Sequence, residues 1–543
     1  MTQNNICRIV CLLFISTLLS FDYNLSLESK YGQGIQILGY DSNDPIIDST
    51  YKYNEHILDL NLNFDSGLYI NTQFEYSKPP VFGKELMGLN SFYLEYELDK
   101  FKFKFGDIYT LYGRGLSVNM FQDQVIDYNN SIRGLEFNYY LNDDIALFGI
   151  AGVSDFEFRT LPSERETDLG LSNKAFVGGI EFRDFHYLYL YQESIIDYDR
   201  YSFSNYALID NLGLNSGKDT LYTGEHNFSI SLNFFETDIY IEDSQSKYNT
   251  ANGKDLCGSK LYGSIYRDIF GFGVTYEYKN YFMYDYIPTL SNPPIVYRES
   301  NSSLAARNSH VIDWSDEIGH QLDINRYFND KFSLEMNLSV SYKHKKGTDF
   351  FDGINSVQFS KNIYSRSPFR QFYIAMSGWL ANNKLYYKIG YDSFDELRDK
   401  VFQYNHINAI TFPTLFTYTL GEHSITAYIE KQTKSDKYFM IANHSLVSIL
   451  KEYEDRYLSL TFNYKGKASL SYFFEDEYYS WKNVKDNEYS KWQGIDVSFN
   501  MNSTTQLSLF YGSQKGGLVC ANGVCADQPG FDDGMKLTLR SLF

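Results

Sequence analysis

Long apolar runs are missing from this sequence after residue 21. A helix that crosses a membrane needs about 20 consecutive apolar residues, and no stretch past that point offers them. A helical membrane protein is therefore excluded. A transmembrane β-barrel is not, because only every second residue of a barrel strand has to face lipid.

Proline is also scarce, with 10 residues in 543, whereas 50 Tyr and 43 Phe bring the aromatic share to 18%. Proline cannot donate to a strand ladder, while aromatic side chains favour strands. The composition therefore predicts β structure along the whole chain.

Basic residues are too few to balance the acidic ones, since 48 Lys and Arg face 68 Asp and Glu for a net charge of -20. Nucleic-acid binding requires basic patches, so no nucleic-acid partner is expected. The acidic pairs Asp123/Asp127 and Asp532/Asp533 offer ligands for Ca²⁺, although a solvated acidic surface is the simpler interpretation.

Catalytic signatures are missing too. The sequence contains no G-x-S-x-G, no H-E-x-x-H and no glycine-rich phosphate loop. Its nine histidines are scattered, and the densest group is His310 and His320 near Asp313, Asp316 and Glu317. A metal or proton-linked site at that group remains an alternative to ordinary loop residues. The expectation is a protein that is not an enzyme and binds no cofactor or metal.

The first residues have the pattern of an export signal. Arg8 precedes an apolar run over residues 9–19, which predicts a signal peptide over 1–20 with cleavage near Ser20 or Phe21. No linker composition divides the remainder, so residues 21–543 are expected to form one barrel domain. The first candidate strand lies near residues 31–40, which leaves no room for an N-terminal plug domain and disfavours an energy-coupled receptor.

Alternating strands joined by very short turns are what the sequence does contain. A two-residue turn at Asp99-Lys100 sets apolar residues against each other on one face of a hairpin. On the other face it places Glu97 opposite Lys102 and Glu95 opposite Lys104. In a barrel the apolar face contacts lipid and the charged ladder lines the lumen.

A second hairpin has the same design around the turn Lys465-Gly466-Lys467. Its apolar face aligns Leu458, Leu460, Phe462 and Tyr464 with Phe474, Tyr472, Leu470 and Ala468 in that order. Nine further short turns are predicted at Asp65-Ser66, Asn142-Asp143, Arg183-Asp184, Phe235-Glu236, Arg267-Asp268, Asn329-Asp330, Asn382-Asn383, Gly421-Glu422 and Asn502-Ser503.

Eleven tight turns join 22 strands, and a first and a closing strand bring the barrel to about 24, within a range of about 22 to 26. The longer connections fall at 154–173, 243–259, 284–317 and 512–533. Short periplasmic turns and long extracellular loops are typical of outer-membrane barrels. The sequence thus predicts an all-β, antiparallel transmembrane barrel.

The closing strand is expected at residues 535–543. Met535, Leu537, Leu539 and Phe543 share one face, while Lys536, Thr538 and Arg540 occupy the other. An apolar face that ends in an aromatic residue suits the lipid side of a barrel strand, and this strand is predicted to pair with residues 31–40.

Two regions are predicted to narrow the lumen. Arg114 and Arg133 follow breaks in the strand alternation and are candidates for an inward, anion-contacting constriction. A bent strand whose arginines pair with inward carboxylates is the simpler interpretation. Residues 287–319 form the longest irregular segment, which favours a functional loop. Its residues Arg298, Glu299, Arg307, His310, Asp316 and Glu317 are expected to pair with wall charges, and Pro288, Pro293 and Pro294 to stiffen the loop.

Asn522-Gly523 predicts a type I′ turn that places Cys520 directly opposite Cys525. A directly opposed pair has the Cα separation that a disulfide uses, and an extracytoplasmic compartment supplies the oxidant. A disulfide between Cys520 and Cys525 is therefore predicted, with Cys257 left without a partner.

Four blocks, G-D-I-Y-T-L-Y-G-R-G-L, N-P-P-I-V-Y-R-E, R-N-S-H-V-I-D-W-S-D-E-I-G-H and G-G-L-V-C-A-N-G-V-C, resemble a Gram-negative outer-membrane family known only as a domain of unknown function. The resemblance spans the mature chain and implies the barrel and its compartment, but no activity. Family members tend to carry a basic residue after the second cysteine, where this chain has Ala526.

The function predicted from the sequence is a pore or facilitated-diffusion channel of the outer membrane, its lumen partly closed by inward-folded loops. The alternative is a non-catalytic scaffold or export component that works with a partner complex or a surface polymer. Expected partners are outer-membrane lipid, lipopolysaccharide and, during insertion, the barrel assembly machinery.

Overall fold

A computed structural model describes residues 21–543 except 42–43, 82–84, 124–127, 159–168, 198–217, 251–254, 284–289, 311, 313, 315, 345–367, 401–402, 443–444, 482–486, 522–523 and 529. The described chain is almost entirely β structure with one short helix. Its elements are β1 (Phe21–Asp41), β2 (Asp44–Phe64), β3 (Leu68–Ser77), β4 (Leu86–Leu98), β5 (Phe101–Ile108), β6 (Gln122–Asp123), β7 (Tyr128–Asn129), β8 (Ile132–Asn142), β9 (Ile145–Phe158), β10 (Leu169–Phe182), β11 (Phe185–Asp197), β12 (Lys218–Phe234), β13 (Thr237–Thr250), β14 (Asp255–Ile269), β15 (Phe272–Phe282), α1 (Ser303–Ala306), β16 (Asp316–Asn329), β17 (Phe332–Tyr342), β18 (Phe369–Leu380), β19 (Leu385–Lys400), β20 (Gln403–Leu420), β21 (His423–Ala442), β22 (Ser445–Tyr464), β23 (Ala468–Trp481), β24 (Asn487–Asn500), β25 (Thr505–Gln514), β26 (Gly517–Ala521), β27 (Val524–Gln528) and β28 (Phe531–Leu542).

Twenty-four of these strands form one closed antiparallel barrel. Each strand pairs with its neighbours in the chain, except that β5 pairs with β8 and β25 with β28, because β6–β7 and β26–β27 are separate hairpins within connections. The last strand, β28, pairs with β1 and closes the ring. The predicted fold class and strand number are confirmed.

The closing register differs from the sequence prediction in its extent. The closing strand pairs with the first strand as predicted, but β1 begins at Phe21, and its contact with β28 covers residues 26–35 in place of 31–40. The reason is that the alternation of apolar and polar residues already starts at Phe21 and Tyr23, directly after the apolar run of residues 9–19 that had set the boundary.

Eleven short turns lie on one rim of the barrel, the turn rim, as predicted, and the strand ends that flank the other connections lie on the opposite rim, the loop rim. One turn was predicted three residues too early. The chain reverses at Phe270-Gly271, not at Arg267-Asp268, because both residues take positive φ angles (55° and 79°). Asp268 Oδ1 also accepts the Gly271 N–H at 2.8 Å, which closes this turn.

Both hairpin registers predicted from the sequence are confirmed. Glu97 lies opposite Lys102 and Glu95 opposite Lys104 across β4 and β5, and Leu458 lies opposite Phe474 across β22 and β23. Strand alternation then divides the barrel into two faces. The outer face exposes large apolar side chains that include Phe105, Leu135, Phe137, Leu470, Ile495, Met535, Leu537 and Phe543.

No helix in the described ranges is both long and apolar enough to cross a membrane. The one helix of the described residues, α1, lies inside the barrel and is one turn long. This helix therefore lies within the lumen and does not cross the membrane-facing wall.

Candidate functional site in the barrel lumen

Two connections fold from the loop rim into the lumen. The first lumen loop, residues 109–131, joins β5 to β8, and the second lumen loop, residues 290–315, joins β15 to β16. The second was predicted from its length. The first was predicted only as a bent strand, so its inward fold was missed.

A buried wall glutamate holds the tip of the first lumen loop. Glu242 on β13 accepts the backbone N–H of Arg114 at 2.6 Å and that of Leu116 at 3.3 Å. Gly113 and Gly115 take φ angles of 61° and 89°, which disfavour other residues. A Cβ at Gly113 would also lie 2.6 Å from Glu242 Oε2. The G-R-G sequence thus lets the backbone reach this carboxylate.

A second buried carboxylate lies beside the first. Glu225 on β12 pairs with Lys260 on β14 at 2.9 Å, and the Lys260 side chain is only 1% exposed. Lys260 Nζ also donates to the carbonyl of Leu116, and Ser117 donates to Glu225. Removal of one partner from a buried pair costs about 3–5 kcal/mol, so this contact fixes the loop to the wall.

Apolar packing completes the seat of the first lumen loop. Val118 and Met120 are buried against Phe148 and Leu188, which lie on the inner faces of β9 and β11. The Tyr112 ring stacks on Phe148 at a centroid distance of 4.0 Å, and burial raises the pKa of the Tyr112 hydroxyl. The side of the first lumen loop that faces β9 and β11 is therefore a packed apolar core.

The second lumen loop crosses to the far wall by ion pairs. Arg307 forms a two-pronged contact with Glu475 on β23, in which Nη2 donates to Oε2 at 2.9 Å. Arg298 lies 3.5 Å from Asp392 on β19, and its guanidinium carbon is 3.3 Å from the ring centroid of Tyr373 on β18. Arg298 and Arg307 therefore satisfy wall charges as predicted.

The first turn of α1 is held by one more wall glutamate. Glu430 on β21 accepts the backbone N–H of Ser303 at 2.6 Å and that of Leu304 at 2.7 Å. The arrangement repeats the contact of Glu242 with the first loop. In each lumen loop, two backbone N–H groups therefore donate to a single inward carboxylate. This meets the requirement that buried backbone donors be paired.

His310 lies at the centre of a charged cluster. Its Nδ1 is 2.5 Å from Glu396 on β19 and its Nε2 is 3.1 Å from Glu317 on β16. Lys279 on β15 approaches Glu317 to 2.5 Å, and Arg398 on β19 approaches Glu396 to 2.5 Å. Burial alone would lower the pKa of His310, but the two carboxylates outweigh it and the pKa is raised.

The two lumen loops also bind each other. Asn119 donates its backbone N–H to the Leu290 carbonyl at 2.7 Å and its side-chain amide to the Asn292 carbonyl at 3.0 Å. The wall supports this junction, since Tyr281 donates to the Pro294 carbonyl at 2.9 Å. The loops therefore form one internal unit.

The family model for a family of unknown function, DUF6029, matches residues 3–165 and 265–543, which is more than half of the chain. The chain belongs to the DUF6029 family. The predicted resemblance to such a family is confirmed, and the family description names no activity.

No curated protein matches this DUF6029 chain. Solved structures similar to it include the FrpB iron transporter from Neisseria meningitidis (9% identity, TM-score 0.42, covering 97% of this chain and 83% of that one). The outer membrane transporter YddB from Escherichia coli (8%, 0.44, 96% and 80%) and OccK11 from Pseudomonas aeruginosa (10%, 0.36, 77% and 95%) are also similar. Scores this low carry no argument about function.

The wall away from the loop anchors carries a polar ladder. Lys30 on β1 pairs with Glu55 on β2 at 3.0 Å, and Arg540 on β28 pairs with Glu28 on β1 at 2.9 Å. The predicted lumen residues Glu95, Lys102 and Lys104 belong to the same ladder. Lys102 pairs diagonally with Glu95 at 2.7 Å, and Lys104 pairs with Glu136, directly opposite on β8, at 3.3 Å. Glu97 lies near the turn rim, and its distance of 3.8 Å from Lys102 is the longest among these pairs.

Several predicted site residues lie elsewhere. Arg133 shares the outer face of β8 with Leu135 and Phe137, is 68% exposed, and pairs with Asp107 at 2.9 Å, so it does not line the lumen. Arg133 lies on the outer face because residues alternate between the two faces of β8 and Leu135, two positions later, faces outward. In the sequence, the neighbouring glycine had obscured this alternation. Arg114 does lie in the lumen, over the Tyr240 ring.

Asp316 and Glu317, predicted as part of the lumen loop, are the first two residues of β16. Asp316 accepts His344 Nδ1 at 2.6 Å near the loop rim. Glu299 is partly buried on the second lumen loop. His320 lies on β16 on the face opposite to Glu317 and contacts Tyr276 at 2.8 Å, so His310 and His320 do not form one site.

Among the described residues, no group of three His, Cys, Asp or Glu side chains is placed to hold a metal ion. Asp127 and Pro288 lie outside the described residues. Cys520 faces Cys525 in the β26–β27 register. Their side chains lie outside the described part of the structure, so the disulfide stays a prediction. Cys257 is exposed and free.

Proposed function

We propose that this DUF6029 protein is an outer-membrane channel for small polar solutes whose lumen is narrowed by the two lumen loops. The observation that carries the proposal is the asymmetry of the inner wall. The described anchors of the loops lie on strands from β12 to β23, while β28 and β1–β5 present the polar ladder.

A barrel of 24 strands is wider than the porins of about 16–18 strands, which already hold an aqueous channel. A lumen of this width needs internal filling if the membrane is to remain a barrier. The lumen loops supply that filling on one side. The ladder of paired charges on the other side suits a hydrated passage without strong selection for one sign of charge.

The outer membrane is the compartment that fits an exposed apolar outer face on a closed barrel. In that setting the turn rim faces the periplasm and the loop rim faces outward. Outer-membrane lipid, lipopolysaccharide and the barrel assembly machinery are the partners that the proposal requires. The proposal includes no catalysis.

Single-channel recording in planar bilayers tests the channel. We expect small, stable conductance from the intact protein and a several-fold larger one after residues 290–310 are replaced by a short Gly-Ser linker. Arg307→Gln should produce frequent openings, because the two-pronged bond that holds the second lumen loop on Glu475 is lost and only Lys515, 3.7 Å away on the wall side, still pairs with this carboxylate. Arg183→Gln is the matched control, since Arg183 pairs with Asp144 in an exposed turn far from the loops.

A second candidate, a non-conducting scaffold or export component, is favoured by the buried Lys260–Glu225 pair, which suits permanent closure. The same recordings separate the two. If neither the intact protein nor the loop-replaced form conducts, the channel proposal fails and the scaffold remains. A wide open pore in the intact protein would show that the loops do not narrow the lumen.

A further inference from the structure

A cavity of about 540 Å³ lies where the two lumen loops meet the inner wall of β14–β16. A volume of this order is typical of sites for small molecules. Its lining combines apolar and polar groups, among them Leu111, Arg114, Phe121, Tyr262, Glu277 and Gln321. The cavity is therefore a candidate solute-binding site within the lumen.

Arg114 differs from the other arginines of the lumen loops. Arg298 and Arg307 are ion-paired, whereas the Arg114 guanidinium is exposed to the cavity and forms no ion pair with any described residue. Its backbone N–H bond to Glu242 and its position 5.2 Å from the Tyr240 ring centroid hold it in place. A preorganised guanidinium with free donors is suited to a carboxylate.

A carboxylate of the opposite charge lies on the same cavity wall. Glu277 on β15 accepts the Tyr262 hydroxyl through Oε1, and its Oε2 makes no hydrogen bond with the described residues. Leu111 and Phe121 supply apolar surface to the cavity. The lining thus offers a cation, an anion and an apolar wall to one bound molecule.

We propose that this cavity binds a small zwitterion with an apolar side group, of the chemical class of amino acids, with its carboxylate on Arg114 and its ammonium group on Glu277. The inference rests on the proposed channel function and names its solute class. Gln321 on β16 supplies an additional amide to the same lining.

Isothermal titration calorimetry on the full-length protein in detergent tests the proposal with three probes. L-phenylalanine carries both charges, phenylalaninamide lacks the carboxylate, and N-acetyl-L-phenylalanine lacks the ammonium group. We expect each derivative to bind about tenfold or more weakly than phenylalanine, because each loses a charge-assisted hydrogen bond.

The variants assign the charges. Arg114→Gln should abolish the preference over phenylalaninamide, and Arg114→Lys should keep part of it. Glu277→Gln should abolish the preference over the N-acetyl form. Arg133→Gln, on the outer face, is the control and should bind as the unaltered protein does.

Absence of phenylalanine binding, or unchanged selectivity in Arg114→Gln, would overturn the inference. Equal binding of phenylalanine and its N-acetyl form would overturn the zwitterion in favour of a simple carboxylate site. Calorimetry measures binding independently of conductance. Binding without conductance would support this site and contradict the channel function, whereas conductance without binding would support the channel and contradict this site.

Discussion

Single inward carboxylates on the wall determine where the lumen loops lie. Glu242 binds two backbone N–H groups of the irregular first lumen loop, and Glu430 binds two at the first turn of α1 in the second. At the first loop, Gly113 permits the approach, because a Cβ there would meet the carboxylate. The anchor therefore needs an acid on a strand and a glycine far away in the sequence.

His310 should make the seating of the second lumen loop pH-dependent. Facing it are Glu317, Glu396, Lys279 and Arg398, and the two carboxylates raise its pKa above the ordinary value of about 6.5. A raised folded-state pKa stabilises the seated loop below the ordinary value, and this stabilisation is lost as the pH rises through the raised value.

Hydrogen exchange of residues 290–310, corrected for intrinsic rates, should therefore accelerate on going from about pH 6 to about pH 9. His310→Gln should flatten that dependence. His406→Gln is the control, because His406 pairs with Asp395 at 2.8 Å on the face of β20 opposite to Ile407, the residue that packs against the loop. Equal pH dependence in His310→Gln and the unaltered protein would contradict the prediction.

Hairpins could be predicted from the sequence because their information is local. The Asp99-Lys100 turn and the alternation around it fix the register of β4 and β5. The turn at Phe270-Gly271 was missed because a glycine three residues later outweighs the polar pair Arg267-Asp268.

The lumen loops depend on contacts that local patterns do not contain. The bond from Arg114 to Glu242 spans 128 residues. The glycines on either side of Arg114 were the one local signal, and they were interpreted as a bend.

In β9, the run from Ile145 to Ile150 is apolar on both faces, a sign that its inner face packs against protein and not water.

The β26–β27 hairpin gives a test at the level of one element. Cys520 and Cys525 are directly paired in its register, and a Cβ at the neighbouring Gly517 would lie 3.0 Å from Arg307 Cδ. A disulfide that closes so short a loop contributes about 2 kcal/mol, confined to the hairpin. Cys520→Ser with Cys525→Ser should loosen the hairpin and leave barrel melting unchanged.

Mass spectrometry of non-reduced protein from the cell envelope should find a peptide linked through Cys520 and Cys525, with Cys257 alkylated as the internal control. Two alkylated thiols at 520 and 525 would dismiss the disulfide. Unchanged hydrogen exchange of the hairpin in the double variant would dismiss its stiffening role.

The whole barrel has two kinds of inner wall. Strands β8–β11 and β18–β20 have apolar inner residues that pack on the loops, while β28 and β1–β5 keep a charged ladder. The outer face carries mostly large apolar side chains, with Arg133 at the loop rim as an exception. Outward residues are thus set by lipid alone, whereas inward residues depend on which lumen loop covers them, and that coverage is a property of the complete ring.

Closure of that ring depends on β28, and the residue that follows this strand contacts β1 directly. The Phe543 N–H donates to the Leu25 carbonyl at 2.8 Å, and its side chain is 65% exposed on the outer face. Phe543→Asp should impair insertion, because the aromatic anchor is lost and a charge on the lipid face adds a cost of about 1 kcal/mol or less near the membrane interface. Phe543→Tyr, which keeps the ring, should insert normally. Membrane levels and heat-modifiable gel mobility measure both, and normal values for Phe543→Asp would count against closure through a lipid-facing β28.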